Sequence, residues 1–256
     1  LFNAYGDTIF SLNLGTDYPD ILRHVMTLGN TVPSRIGETK EMLDLRLELA
    51  NPLNCIVGRK GFSKQFMHEE ILQLLAGKYI QKRLAAITPK AAELITQATA
   101  YGPRTHNQLQ FVAEELEKNP NSRRAVVYVG RHDDLTWSDS VTRAGEMPCT
   151  CIWQFHLRNK ILDMAVYMRS WDLVWGLCYD IPSFVAVQMM LAKHLDVEVG
   201  RYVHTAGSGH IYQHHYDLEA WPTDDFLNLD YLIKDSVQAT QAHANRLLTQ
   251  TGHSPY

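Results

Sequence analysis

Long apolar runs are missing from this 256-residue chain, and none reaches the roughly 18 residues that a membrane-crossing helix needs. A surplus of positive charge is missing as well. Lysine and arginine number 24 against 28 acidic residues, a net charge of −4. That balance gives no overall footprint for nucleic acid or an anionic membrane, so neither is expected as a partner. An anionic ligand would have to be small and met by a local cluster of arginines. Cysteine is scarce. Cys55, Cys149, Cys151 and Cys178 stand at irregular spacing, which excludes a disulfide framework and predicts reduced thiols. Neither a CxxC pair nor an HExxH helix occurs, so no metal site is expected. The opening residues "LFNAYGDTIF" carry no basic leader before a long apolar stretch, and a soluble, cytoplasmic protein is expected. Without repeats, low-complexity tracts or a long linker, residues 1–256 read as a single domain.

What is present alternates between two periods. "DYPDILRHVMTLGN" has apolar residues at helical spacing and stops at Gly29. "FSKQFMHEEILQLLAGK" does the same, with Ser63 as N-cap and Gly77 at its end. A third helix, "HNQLQFVAEELEKNPNS", breaks at Asn119 and Pro120 and feeds the β-branched run "RRAVVYVG". "CTCIWQFHL", the turn-like "RNK" and "ILDMAVYMRS" predict a hairpin of two long strands. A largely buried helix "IPSFVAVQMMLAKHLD", a strand "VEVGRYVHTAGSGHIY" and a last helix over 229–250 complete an α+β chain centred on residues 145–216.

Some residues invite chemistry. Cys149 follows a proline at the front of a strand, where a cysteine is most often a small core hydrophobe and less often a nucleophile. The spacing of His210 and His214 suits metal only on a helix, and this region reads as strand, so hydrogen bonding is the better role. "MRSWD" ends a strand with a cation, a hydroxyl and a carboxylate in quick succession, and guanidinium forks such as Arg169 suit phosphate.

The order and spacing of "PCT..QF", "MRSWDLVWG", "YDIPSF" and "AGSGHIYQHH" resemble the thymidylate synthase superfamily. Its members attach a one-carbon unit to C5 of a pyrimidine nucleotide. "SRIGET", "HEEILQLLAG" and "NPNSRRAVV" extend the resemblance over residues 18–216. It implies a large mixed β-sheet flanked by helices, dimerising through the sheet. It also implies 5,10-methylenetetrahydrofolate as co-substrate and a nucleoside monophosphate as substrate. Cys149 then matches the nucleophile that adds to C6 and makes C5 enamine-like, with Arg169 and the other arginines expected to lower its pKa. Arg35, Arg169 and Ser170 match phosphate ligands. Arg123 and Arg124 match the pair that reaches the partner's phosphate site in a homodimer. His210 and Tyr212 match the ligands of the sugar 3′-hydroxyl, and Gln154 and Asp172 match residues lining the site. Glu70 matches the glutamate that organises water and moves protons, although the motif also admits Glu69. Glu70, Asp172 and Gly176 are expected to border the folate. Thr150 stands where the family often has histidine, so that histidine's role does not transfer.

Asp180 stands where thymidylate synthases have an asparagine whose amide donates to uracil O4 and accepts from N3–H. A carboxylate accepts instead, which suits the 4-amino group of cytosine with one proton shared at N3 and sets acceptor against acceptor at uracil O4. The other reading of Asp180 is an N-terminal cap of the following helix. The departure resembles the phage-type deoxycytidylate hydroxymethylases. Residues 81–100 hold no tryptophan where synthases pack an indole beside the folate, which favours water over hydride as the final donor. The resemblance thus implies conversion of dCMP to 5-hydroxymethyl-dCMP. Methylation of dCMP and hydroxymethylation of CMP remain the alternatives.

Overall fold

The computed structural model describes residues 6–89, 95–135, 147–217 and 238. They build an eight-stranded mixed sheet with five α-helices packed around it. In chain order the strands are β1 (Thr8–Ser11), β2 (Asn30–Ser34), β3 (Gly37–Leu49), β4 (Val126–Tyr128), β5 (Thr150–Arg158), β6 (Ile161–Met168), β7 (Trp171–Asp172) and β8 (Glu198–Tyr212). The helices are α1 (Leu14–Leu28), α2 (Lys64–Leu75), α3 (Gln81–Ile87), α4 (Tyr101–Lys118) and α5 (Leu177–His194). The sheet runs β1-β3-β8-β6-β5-β4, with β2 beside β3 and β7 beside β8.

Local chemistry explains most boundaries. Ser63 caps α2 by accepting from Phe66 N at 3.1 Å, and Gly77, at φ +65°, turns the chain away two residues after the helix. The β5–β6 hairpin closes through Asn159 and Lys160, both at positive φ (50° and 61°), the pattern that matches the twist of a two-residue hairpin. Strand alternation then sets the faces. Trp153, Phe155 and Leu157 of β5 and Leu162, Met164, Val166 and Met168 of β6 all turn into one core. α5 crosses from β6 to its parallel neighbour β8 and is buried along most of its length, which is why its sequence is apolar nearly all round.

Two helices begin a full turn or more earlier than the sequence suggests. α4 starts at Tyr101 rather than His106, because a Gly-Pro pair is harmless in a first turn whose N–H groups have no intrahelical partner. A Cβ on Gly102 would lie 2.9 Å from Gln73 O and 2.8 Å from Lys78 O, so glycine lets this helix end press against the end of α2. α5 starts at Leu177, with Gly176 at its N-cap position. The capping role considered for Asp180 is therefore incorrect: Asp180 lies inside the first turn, its own N–H bonded to Gly176 O at 2.8 Å. Strands β1–β3 have no counterpart in the sequence reading, and the helix expected over 229–250 lies outside the described residues, Gln238 excepted. No helix among the described residues is long and apolar enough to cross a membrane.

Candidate active site

The β5–β6 register sets the first pair of functional groups. Thr150 pairs with Met168, so the residues just beyond, Cys149 and Arg169, face each other, and Arg169 N donates to Cys149 O at 2.9 Å. The guanidinium folds back over the same segment. Nε donates to Pro148 O at 3.1 Å, Nη2 to Met147 O at 2.9 Å, and Nη2 lies 3.8 Å from the Cys149 sulfur. The expected lowering of the thiol pKa is not what this geometry gives. Burial pushes the Cys149 thiol up and outweighs the pull of Arg169, while Asp180 and Asp172 add to the rise.

α2 distinguishes its adjacent glutamates. Glu69 accepts from Gln73 Nε2 at 2.7 Å and from Arg83 Nη2 at 2.8 Å, and Gln73 Oε1 in turn accepts from Ile80 N at 2.7 Å. Glu69 is thus committed to tying α2 to α3. Glu70 instead faces the same cavity as Cys149. Its Oε2 is buried with no hydrogen-bond partner among the described residues, and burial raises its pKa from 4.5 to about 7.

Asp180 reaches this cavity from the first turn of α5. Burial, and then the nearby charges of Glu70 and Asp172, hold its carboxyl well above the usual range, against an opposing effect of Trp171. Gly176, one turn earlier, gives it room: a Cβ there would stand 3.0 Å from Asp180 Oδ2 and 2.8 Å from Asp172 O. Arg35 joins Arg169 in the lining of this cavity of about 270 Å³.

Sequence reasoning missed several cavity residues, Tyr101, Ser183, Lys78 and Tyr79 among them. Tyr101 opens α4, its ring packed against Trp153 and Phe184 at centroid distances of 6.5 and 5.5 Å. Burial, then Asp180 and Cys149, raise its pKa well above 10.0, so it is a neutral phenol. Ser183 lies one turn beyond Asp180 on α5, the spacing that could have found it, and Lys78 and Tyr79 follow the Gly77 turn.

The remaining residues stand outside the cavity lining. Asp172 Oδ1 accepts from Val174 N (2.8 Å) and Trp175 N (3.0 Å), and its backbone is paired with His210 across β7–β8. His210 meets Tyr212 edge-on at 4.9 Å, and the Tyr212 hydroxyl is close enough to feel Asp172, Cys149 and Arg35. Ser170 is half-buried next to Arg169. Gln154 is a correction: its neighbours Trp153 and Phe155 are buried in the core, so alternation turns Gln154 to the opposite sheet face, where its amide donates to Arg123 O at 3.1 Å. Arg123 and Arg124 do not line the cavity of their own chain, and Arg124 is paired with Glu115 at 3.0 Å. No cluster able to hold a metal ion occurs among the described residues.

A sequence model described as thymidylate synthase matches residues 16–220, four-fifths of the chain. The chain belongs to the thymidylate synthase family. A thymidylate synthase-type activity is transfer of a one-carbon unit from methylenetetrahydrofolate to C5 of a pyrimidine nucleotide, and the mixed sheet flanked by helices is the fold that goes with it. The buried carboxyl of this thymidylate synthase relative has a measurable cost. Glu70 binds its proton more tightly folded than unfolded, so its contribution to stability falls as pH rises from about 4.5 to 7, by roughly 3 kcal/mol if fully expressed. Glu70→Gln is expected to raise the melting temperature at pH 8 and to leave it unchanged at pH 4.5, measured by calorimetry of the free protein. An equal shift at both pH values would show that Glu70 is not the group titrating.

Proposed function

We propose that the chain is a dCMP 5-hydroxymethyltransferase that uses 5,10-methylenetetrahydrofolate and water. The observation that carries this reading is the Asp180 carboxyl, held toward its neutral form in the same cavity as Cys149 and Glu70. A neutral acid donates to cytosine N3 while its other oxygen accepts from the 4-amino group. If the proton moves to N3, the same two contacts become an ion pair. Uracil has no basic ring nitrogen to take the proton. A neutral Asp180 can still donate to O4 and accept from N3–H, and only the ionised carboxylate sets two acceptors together at O4, so rejection of uracil rests on the ionised form.

Cys149 adds to C6 as the thiolate, and Arg169, 3.8 Å from the sulfur, stabilises the developing charge. Arg35 and Arg169 bring two guanidinium groups to the substrate phosphate, with Ser170 beside them. His210 and Tyr212 take the sugar 3′-hydroxyl. Glu70, with a pKa of about 7, exchanges protons with water near neutrality. The folate supplies an electrophilic one-carbon unit when bound. Tyr79, Leu84 and Ile95 in the cavity wall offer apolar surface for the folate's ring system to pack on, and Asp172 and Gly176 of the β7–α5 turn are expected to border it from outside that wall. A homodimer formed through the outer sheet face would carry Arg123 and Arg124 to the partner's phosphate, and their position away from their own cavity supports that reading.

The test is direct. The enzyme is incubated with methylenetetrahydrofolate and, separately, dCMP, CMP and dUMP, and the nucleotides are read by mass spectrometry. A hydroxymethyl adduct on dCMP is the expected product. A methyl product would overturn the role of water, turnover of dUMP would overturn the role of Asp180, and preference for CMP would overturn the assignment of the sugar.

A further inference from the structure

Two buried polar atoms in one cavity have no partner among the described residues: Glu70 Oε2 and Ser183 Oγ. Ser183 is only 3% exposed. A serine inside a helix commonly returns its hydroxyl to the carbonyl four residues back, yet Ser183 Oγ makes no such bond. An orphaned buried hydroxyl is costly, and orphans of this kind are satisfied by ordered water where the site is polar and roomy. The cavity they share is both, at about 270 Å³ with Asp180 and Tyr101 also in its wall.

We propose that Ser183 and Glu70 together hold the water molecule that is added to the substrate, with Ser183 as the positioning residue that fixes its place relative to the pyrimidine. This rests on the hydroxymethyltransferase reading and adds to it a second anchor for the water. Glu70 alone leaves a water free to swing about a single acceptor, whereas a hydroxyl from the neighbouring helix gives it a second point of attachment. In the step itself, the water oxygen bonds to the exocyclic methylene carbon on C5 and its proton passes to Glu70. The C6–sulfur bond to Cys149 breaks with its electron pair going to sulfur, as the C5–C6 double bond returns.

The test compares Ser183→Ala and Ser183→Thr with the unaltered enzyme in three measurements: kcat and KM for hydroxymethyl-dCMP formation, exchange of the C5 hydrogen of dCMP for solvent deuterium, and the melting temperature. C5 exchange needs the Cys149 adduct but no addition of water to a methylene. For Ser183→Ala, kcat is expected to fall roughly a hundredfold with KM for dCMP and C5 exchange within about twofold, and the melting temperature is expected to hold because no bond within the protein is lost. Ser183→Thr, which restores a hydroxyl, is expected to recover most of kcat. Equal losses in product formation and C5 exchange would reduce Ser183 to a structural role and overturn the proposal, as would an unchanged kcat in the alanine variant. If the unaltered enzyme forms no hydroxymethyl product, the functional reading fails and the proposal with it, an outcome seen without any variant.

Discussion

Cys149→Ser is expected to lower kcat for dCMP by about 10⁴-fold or more while dCMP still binds within a few-fold of its original affinity. The asymmetry follows from what the residue does. Arg35, Arg169 and Asp180 remain in the cavity wall, and on the proposed reading they still hold phosphate and base, so ground-state binding is expected to survive. A serine hydroxyl is far less acidic than a thiol, and the residue beside it is Thr150, which offers no base. Burial already pushes the thiol up in the free protein, with Arg169 as its main opposing cation. A hydroxyl in the same surroundings has no route to an alkoxide near neutrality. Calorimetric titration with dCMP and a product assay on the same preparation check both halves. Residual turnover above about 1% would remove Cys149 from the nucleophile's role.

Cys149 was legible as a cavity residue because its motif is contiguous, and Arg169 opposite it was legible because both lie at the ends of one hairpin. Asp180 was legible for the same reason, standing in a short run with a fixed offset from the strand before it. Its place inside α5 was not, because Gly176 and Pro182 look like breakers and Asp180 itself interrupts the apolar run. Tyr101 was hidden by the same kind of signal, since Gly102 and Pro103 mask the true start of α4. Glu69 and Glu70 could not be separated by helical phase; the partners that separate them, Arg83 and the segment at Ile80, belong to the neighbouring α3 region. Gln154 was assigned to the site through a motif match, and a match of that kind does not say which sheet face a side chain takes; alternation with Trp153 and Phe155 does. β3 shows what a periodic reading does recover in hindsight: Leu45, Leu47 and Leu49 alternate cleanly with charged residues, but Asp44, at φ +53°, interrupts the pattern before it becomes long enough to stand out.

Asp180→Asn is expected to reverse the choice of base. As Cys149 adds to C6 of cytosine, electron density builds at N3, and the acid on Asp180 can give it a proton. An amide can hydrogen-bond N3 but cannot protonate it, so kcat/KM for dCMP is expected to fall by roughly 10³-fold, the scale of a lost general acid. With uracil the density builds on O4. There an amide N–H donates while its oxygen accepts from N3–H, so the variant is expected to gain turnover of dUMP. The unaltered enzyme carries a related pH dependence. Raising the pH ionises Asp180 and turns acceptor against acceptor at O4, while cytosine keeps both contacts with a proton on N3. Rejection of dUMP is therefore expected to strengthen as pH rises and to relax as it falls. Measuring kcat/KM for dCMP and dUMP across pH in both proteins separates the cases. If the ratio of the two nucleotides is the same in the asparagine variant and in the unaltered enzyme, Asp180 does not read the base.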